Sequence, residues 1–177
     1  MRKILFILAM VVSLSASVAS AQRRCDSHHE DRPGYEHRGR HHRSPYFVSE
    51  NKVFFDGRKI KGASASSFSI LRDGYAKDTW SVYYCGAKMD GASSNSFKVL
   101  GFGYAKDTWN VYFDGKKING ASPESFKVLR DGYAKDTWNV YFDAVKIEGA
   151  SPDSFKVLRD GYAKDTWNTY YFGRKID

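Results

Sequence analysis

A repeat of 29 residues constrains this chain more than any other feature. Close copies of the stretch 133–143 recur around four tryptophans at one spacing, since 109−80, 138−109 and 167−138 each give 29. The four are Trp80, Trp109, Trp138 and Trp167. A fixed period is typical of tandem repeat proteins, whose units stack on their neighbours. Because the copies share their Asp, Lys, Trp and Tyr residues, the pattern predicts a scaffold rather than a single active site.

Each copy has the pattern of a β-hairpin. Residues 133–136 alternate as a half-buried strand does, and residues 140–142 are β-branched and aromatic. Between them Thr137, Trp138 and Asn139 predict a three-residue loop whose last position is left-handed, which Asn tolerates. Asp136 begins this turn and can accept hydrogen bonds from the loop amides. The equivalent residues are Asp78, Asp107 and Asp165, with Asn110 and Asn168 at the left-handed position.

A second tight turn follows each hairpin and leads to a short third strand. Asp114-Gly115 shows the pattern, because Asp-Gly between apolar and aromatic residues is a strong hairpin signal. In the fourth copy Ala144 replaces the glycine, where a positive φ is expected. This predicts either a local cost of about 1 kcal/mol or a different turn.

The linkers between hairpins contain a helix-start signal and a recurring phenylalanine. Ser122, Pro123 and Glu124 suit the N-cap and the first helical positions, so we expect one short helical turn. The phenylalanines, with the Ile or Val and the Leu that follow them, are the predicted core. They are Phe68, Phe97, Phe126 and Phe155.

These patterns predict one all-β domain over residues 46–177. A tyrosine opens each of its five units, namely Tyr46, Tyr75, Tyr104, Tyr133 and Tyr162. A single hairpin is only marginally stable in water, so the units must stack their aromatic faces. We expect tandem antiparallel hairpin or meander repeats with short helical turns. Both an open, solenoid-like array and a closed, propeller-like one fit the pattern.

Residues 1–21 have the pattern of a signal peptide. Arg2 and Lys3 precede an apolar run over residues 4–12, and residues 19–21 read Ala-Ser-Ala, a cleavage motif. The run is shorter than the roughly 20 residues of a membrane span, so an anchor helix is disfavoured. Two arginines before Cys25 disfavour lipidation there. We therefore expect export to the periplasm, the cell surface or the medium, without a transmembrane segment.

Residues 22–45 predict a disordered linker that is rich in His and Arg. Apolar residues are too few to offset the entropy of ordering it. All five histidines lie here, namely His28, His29, His37, His41 and His42. A transition-metal site is the alternative interpretation, although no fixed ligand spacing supports it.

Two further features bear on partners and on the oxidation state. The formal net charge is +8, of which Arg2 and Lys3 give +2 and residues 22–45 give +2 (six Arg against four acidic residues), leaving +4. Such a scattered excess over residues 46–177 argues against nucleic acid as a partner. Cys25 and Cys85 could form a disulfide after export, remain as two thiols, or form an intermolecular bridge.

One complete copy carries the resemblance to a known family. It reads Tyr-Ala-Lys-Asp over 104–107, Val-Tyr-Phe over 111–113, Asp-Gly-Lys-Lys-Ile over 114–118, and Gly-Ala-Ser-Pro-Glu-Ser-Phe-Lys-Val-Leu over 120–129. Residues 46–177 thus resemble the DKNYY family of bacterial repeats. The resemblance implies an exported repeat protein and supplies no catalytic residues.

The sequence bears on three classes of function. An enzyme is disfavoured, because residues 46–177 contain no histidine and the repeated carboxylates share similar environments, so neither catalytic residues nor a cofactor are expected. A binding module would use Trp80, Trp109, Trp138 and Trp167 to stack on a cell-wall or host glycan or to anchor a protein. The opposing interpretation buries each Trp against the neighbouring unit. An assembly protein would self-associate through its ends, at residues 46–48 and 170–171.

Overall fold

The computed structural model describes residues 44–176, and these fold into five small antiparallel sheets in tandem. The all-β repeat prediction is therefore confirmed. The predicted signal peptide, and all of the predicted linker except Ser44 and Pro45, lie outside the described residues. Within that range no helix is long and apolar enough to cross a membrane.

The sheets follow the chain as successive meanders. The first has three strands: β1 (Tyr46–Ser49), β2 (Lys52–Phe55) and β3 (Arg58–Lys59). The second has β4 (Ser69–Ile70), β5 (Tyr75–Lys77), β6 (Val82–Tyr84) and β7 (Ala87–Met89), and the third has β8 (Lys98–Gly101), β9 (Tyr104–Lys106), β10 (Val111–Phe113) and β11 (Lys116–Lys117). The fourth has β12 (Lys127–Val128), β13 (Tyr133–Lys135), β14 (Val140–Phe142) and β15 (Val145–Lys146), and the fifth has β16 (Lys156–Val157), β17 (Tyr162–Lys164), β18 (Thr169–Tyr171) and β19 (Arg174–Ile176). We call each sheet, together with the linker that precedes it, a unit.

The second tight turn keeps its geometry even where its glycine is replaced. Between β14 and β15, Asp143 and Ala144 have φ of 44° and 64°, close to the 47° and 74° of Asp114 and Gly115. Both residues of such a two-residue turn need positive φ to match the twist of the strands. Of the two alternatives predicted for Ala144, the strained but unchanged turn is therefore the one observed.

The linkers differ from the prediction. Ala65–Ser67 forms a single 3-10 turn, in which Ser64 makes no side-chain capping bond. In the third linker Pro123, Glu124 and Ser125 form a plain turn instead of the predicted helical one. The backbone amide of Ser122 donates to Asp136 Oδ2 at 2.9 Å, so a contact with the next hairpin directs this backbone.

The core prediction is correct in part. Phe97, Phe126 and Phe155 are buried, but Ile70 and Leu158 are 44% and 37% exposed. The linker strands form the outer edges of their sheets, which explains this exposure. The largest fully buried side chains come instead from the central strands: Tyr75, Tyr83, Tyr104, Tyr133, Tyr141, Tyr170, Val53, Val82, Val111 and Val140.

Each linker phenylalanine connects two units. The ring of Phe97 packs against Tyr75 of the second unit at 5.4 Å and Tyr112 of the third at 5.8 Å between centroids. The same arrangement recurs around Phe68, Phe126 and Phe155. Aromatic packing between neighbours thus adds the buried surface that a lone hairpin lacks, and the described buried residues form three core clusters along the array.

The array is open at its fifth unit. Tyr75, Tyr104 and Tyr133 are fully buried beneath the unit that follows each of them, whereas Tyr162 is 41% exposed. Among the described residues, no unit covers this tyrosine. The open array is thus the one of the two predicted forms that the structure adopts.

Candidate binding face

A buried aspartate organises the loop that carries each tryptophan. In the fourth unit Asp136 Oδ1 accepts hydrogen bonds from the backbone amides of Trp138 and Asn139, at 2.8 and 2.7 Å. The amide of Thr137 donates to Ser125 Oγ at 3.1 Å. Three consecutive loop amides are therefore satisfied by side chains, as predicted for the aspartate. We call the four equivalent segments (78–81, 107–110, 136–139 and 165–168) the Trp loops.

The second oxygen of the same carboxylate joins the loop to the linker and the core. Asp136 Oδ2 accepts the amide of Ser122 at 2.9 Å and the hydroxyl of Tyr141 at 3.1 Å. Asp78, Asp107 and Asp165 each accept the corresponding four bonds in their units. Each carboxylate is thus fully used within its own unit.

The electrostatics of these aspartates follow from that bonding. Burial of Asp165 by itself favours the neutral acid, but hydrogen bonds from the amides of Ser151 and Trp167 and from the Tyr170 hydroxyl outweigh it and lower the pKa to about 2. The pKa values of Asp78 and Asp107 are lowered for the same reasons. Asp78, Asp107 and Asp165 therefore serve as fixed hydrogen-bond acceptors at neutral pH.

The prediction that an asparagine adopts the left-handed conformation at the end of each Trp loop is wrong. Asn110, Asn139 and Asn168, all described residues, have no positive φ. The amide of Asp136 instead donates to the carbonyl of Asn139 at 3.0 Å, which makes a four-residue loop closed by the aspartate side chain. Because Oδ1 accepts the Asn139 amide, the loop does not need a left-handed residue.

All four tryptophans point into solvent. Trp80 and Trp167 are 82% exposed, and Trp109 and Trp138 are 75% exposed. The interpretation in which each Trp packs on the neighbouring unit is therefore wrong. The side chains project from a loop whose backbone is held by the buried carboxylate.

The first unit lacks this feature. Asn51 occupies the position of the tryptophan, Ser49 that of the aspartate, and Glu50 and Asn51 form a tight turn with φ of 47° and 57°. The candidate binding face therefore consists of the Trp loops of the second to fifth units.

Sequence reasoning missed the role of the tyrosines that open each unit. The hydroxyl of Tyr75 donates to the carbonyl of Gly103 at 2.9 Å and accepts from the amide of Gly115 at 3.0 Å. Both partners lie in the next unit. The sequence does show a tyrosine that recurs every 29 residues. It does not show which backbone groups the tyrosine hydroxyl reaches, so the bond between units could not be predicted.

The remaining predicted sites fall mostly outside the structure. His28, His29, His37, His41 and His42 lie outside the described residues, where a metal site stays a prediction. Within residues 44–176 no cluster of His, Cys, Asp and Glu could hold a metal ion. Cys85 is buried, and Cys25 lies outside the described residues, so their pairing also stays a prediction.

The fold and the repeated loops define the class of this chain, an open array of β-meander units. The chain belongs to the DKNYY family, whose model matches residues 46–103 and 104–172. No curated protein and no solved structure matches the chain.

Proposed function

We propose that this protein is an exported, non-enzymatic binding module whose Trp loops bind a glycan polymer. The observation that carries the proposal is the exposure of all four loop tryptophans, between 75% and 82%. Large apolar side chains are seldom left this exposed, and repeated exposure of this kind marks an interaction surface. The flat, apolar face of an indole suits the C–H face of a sugar ring.

The rigidity of each Trp loop supports the proposal. Its amides are held by a buried aspartate and a linker serine, as described for Asp136 and Ser125. A loop that is ordered before binding loses less conformational entropy when the ligand arrives. Thr137, exposed beside Trp138, offers a hydroxyl to a sugar hydroxyl.

The repetition of the loops favours a polymer as the ligand. The same bridging bonds connect each pair of neighbouring units, so the Trp loops recur at a regular interval along the array. Equal sites at equal intervals match a ligand that is itself periodic. Several weak contacts on one chain then combine into a firm attachment.

Export and the absence of catalysis belong to the same proposal. The signal-peptide pattern of residues 1–21 supports a location in the periplasm or at the cell surface, where wall and host polysaccharides are found. The four buried carboxylates accept hydrogen bonds from their own units, which leaves them unsuited to general acid or base chemistry.

Co-sedimentation with purified bacterial cell wall tests the proposal. We expect the wild-type chain to pellet with the wall and Trp109→Ala and Trp138→Ala to lose most of this binding. Phe102→Ala is the matched control, because Phe102 is an aromatic side chain that is 60% exposed outside the Trp loops. Circular dichroism verifies that each variant is folded.

Two results would contradict the proposal. Wild-type protein that binds neither wall nor soluble polysaccharides would point to a protein partner instead. Binding that is reduced equally by Phe102→Ala and by the Trp variants would show general hydrophobic adhesion.

A further inference from the structure

We call the contact surface between two neighbouring units a seam. Among residues 44–176, no unit covers the seam surface of the fifth unit. In each internal seam the opening tyrosine of one unit bonds to two backbone groups of the next. The hydroxyl of Tyr133, for example, donates to the carbonyl of Gly161 at 3.0 Å and accepts from the amide of Gly173 at 2.9 Å. In the fifth unit the equivalent Tyr162 is 41% exposed.

A second aromatic side chain completes each seam by lying on a glycine. A Cβ built on Gly86 would lie 2.8 Å from Phe55, one on Gly115 would lie 2.6 Å from Tyr84, and one on Gly173 would lie 2.5 Å from Phe142. These aromatics therefore cover the tight turn of the following unit closely. Their equivalent in the fifth unit is Tyr171, which is 42% exposed.

The first unit presents the opposite half of the same seam. Gly57 occupies the position of Gly86 and Gly115 in its tight turn, with φ of 73°, yet a Cβ built there meets none of the described residues within 4 Å. The carbonyl of Pro45 accepts the amide of Asp56 at 2.9 Å, as the carbonyl of Gly74 accepts that of Cys85. The first unit thus has all three parts that a seam needs, namely the Pro45 carbonyl as acceptor, the Gly57 amide as donor and the glycine surface.

We propose that a second copy of this chain docks its first unit on the fifth unit of the first copy. Tyr171 of one copy lies on Gly57 of the other, and the Tyr162 hydroxyl bonds to the Pro45 carbonyl and the Gly57 amide. The proposed contact continues the array, because it repeats the geometry of the four internal seams. It concerns the ends of the array and does not depend on the glycan proposal.

This contact joins two different surfaces, so it is heterologous and can continue from copy to copy. Of the edge residues predicted from the sequence, Tyr46 and Tyr170 are buried, whereas Phe47, Val48 and Tyr171 are 45%, 47% and 42% exposed. The proposed contact uses Tyr171. The contact joins two separate chains, so its formation costs the translational and rotational freedom that the internal seams do not cost. We therefore expect association that depends strongly on concentration.

Sedimentation velocity of the full chain over a range of concentrations tests the proposal. We expect the mean mass of the wild type to rise with concentration. Gly57→Asn should abolish this rise, because Asn tolerates a positive φ and its side chain would occupy the surface that Tyr171 covers. Gly62→Asn is the matched control, since Gly62 also has a positive φ of 77° and open space, but lies in the linker.

A mixing experiment identifies the head-to-tail geometry. Tyr171→Ala and Gly57→Asn should each remain monomeric alone, because each lacks one half of the seam. Mixed together they should form dimers and nothing larger, through Tyr171 of the one chain and Gly57 of the other.

Three results would overturn the inference. They are a wild type that stays monomeric at millimolar concentration, association that survives Gly57→Asn, and a mixture that remains monomeric although each variant is folded by circular dichroism.

Discussion

At the scale of single residues, the buried aspartate of each Trp loop does most to connect local and tertiary structure. Asp136 is 3% exposed and accepts four hydrogen bonds, two from its own loop, one from the linker and one from Tyr141. A buried carboxylate is stable only when its lone pairs are used in this way. Its position at the start of the hairpin turn was predicted from sequence, but the contacts of Oδ2 were not.

Asp136→Asn should lower the free energy of unfolding by about 2 kcal/mol or more. The amide nitrogen that replaces one oxygen cannot accept, so two of the four donors lose their partner, at about 1 kcal/mol or more each. Urea denaturation followed by circular dichroism measures the change. Asp153→Asn, at an exposed linker position, is the control and should stay within about 0.5 kcal/mol of the wild type. Equal effects of the two substitutions would refute this role of Asp136.

At the scale of the structural element, the tight turns set the register of the sheets and the spacing of the units. Pairing of Tyr133 with Phe142 and of Phe142 with Val145 leaves room for only two residues in the second turn. The left-handed conformation of both residues follows from that length, whatever their type. This explains why Ala144 adopts a φ of 64° rather than changing the turn.

Ala144→Gly should raise the free energy of unfolding by about 0.5 to 1 kcal/mol. Glycine removes the strain of the left-handed alanine, and the gain is reduced by the larger entropy of glycine in the unfolded chain. The opposite change in the preceding unit, Gly115→Ala, should destabilise, because its Cβ would lie 2.6 Å from the Tyr84 ring. Thermal unfolding of both variants measures the effects, and a lower melting temperature for Ala144→Gly would contradict the assignment.

At the scale of the whole molecule, the units are held together by buried tyrosines. Four opening tyrosines bridge neighbouring units through their hydroxyls, and four others reach the aspartates of their own loops. Burial, followed by the adjacent carboxylate, raises the pKa of Tyr83, Tyr112 and Tyr170 to about 12. The array therefore depends on neutral tyrosines in every unit.

The protein should lose stability at alkaline pH. Because the folded state raises these pKa values above the ordinary value of about 10, it binds protons more tightly than the unfolded state. The stabilisation is complete below about pH 10 and is lost progressively as the pH rises toward about 12. Tyrosinate absorbance and circular dichroism recorded during one titration check this. Ionisation of all tyrosines near pH 10 with an intact β-sheet signal would show that the hydroxyls are not buried.

The amino-acid sequence by itself determined the repeat, the hairpins, the tight turns and the all-β class. These features are local, since alternation of side chains and turn chemistry act within about ten residues. The period then implied stacking, because a lone hairpin cannot bury enough surface.

Only the tertiary structure decided the exposure of the tryptophans, the course of the linkers and the tyrosine bridges. Each of these depends on contacts between residues 14 to 40 positions apart, such as Ser122 with Asp136 and Tyr133 with Gly173. Whether a loop folds back or projects is settled by the free energies of those contacts. The Asp136 carboxylate and the stacked rings satisfy the backbone and fill the core, so the tryptophans remain in solvent.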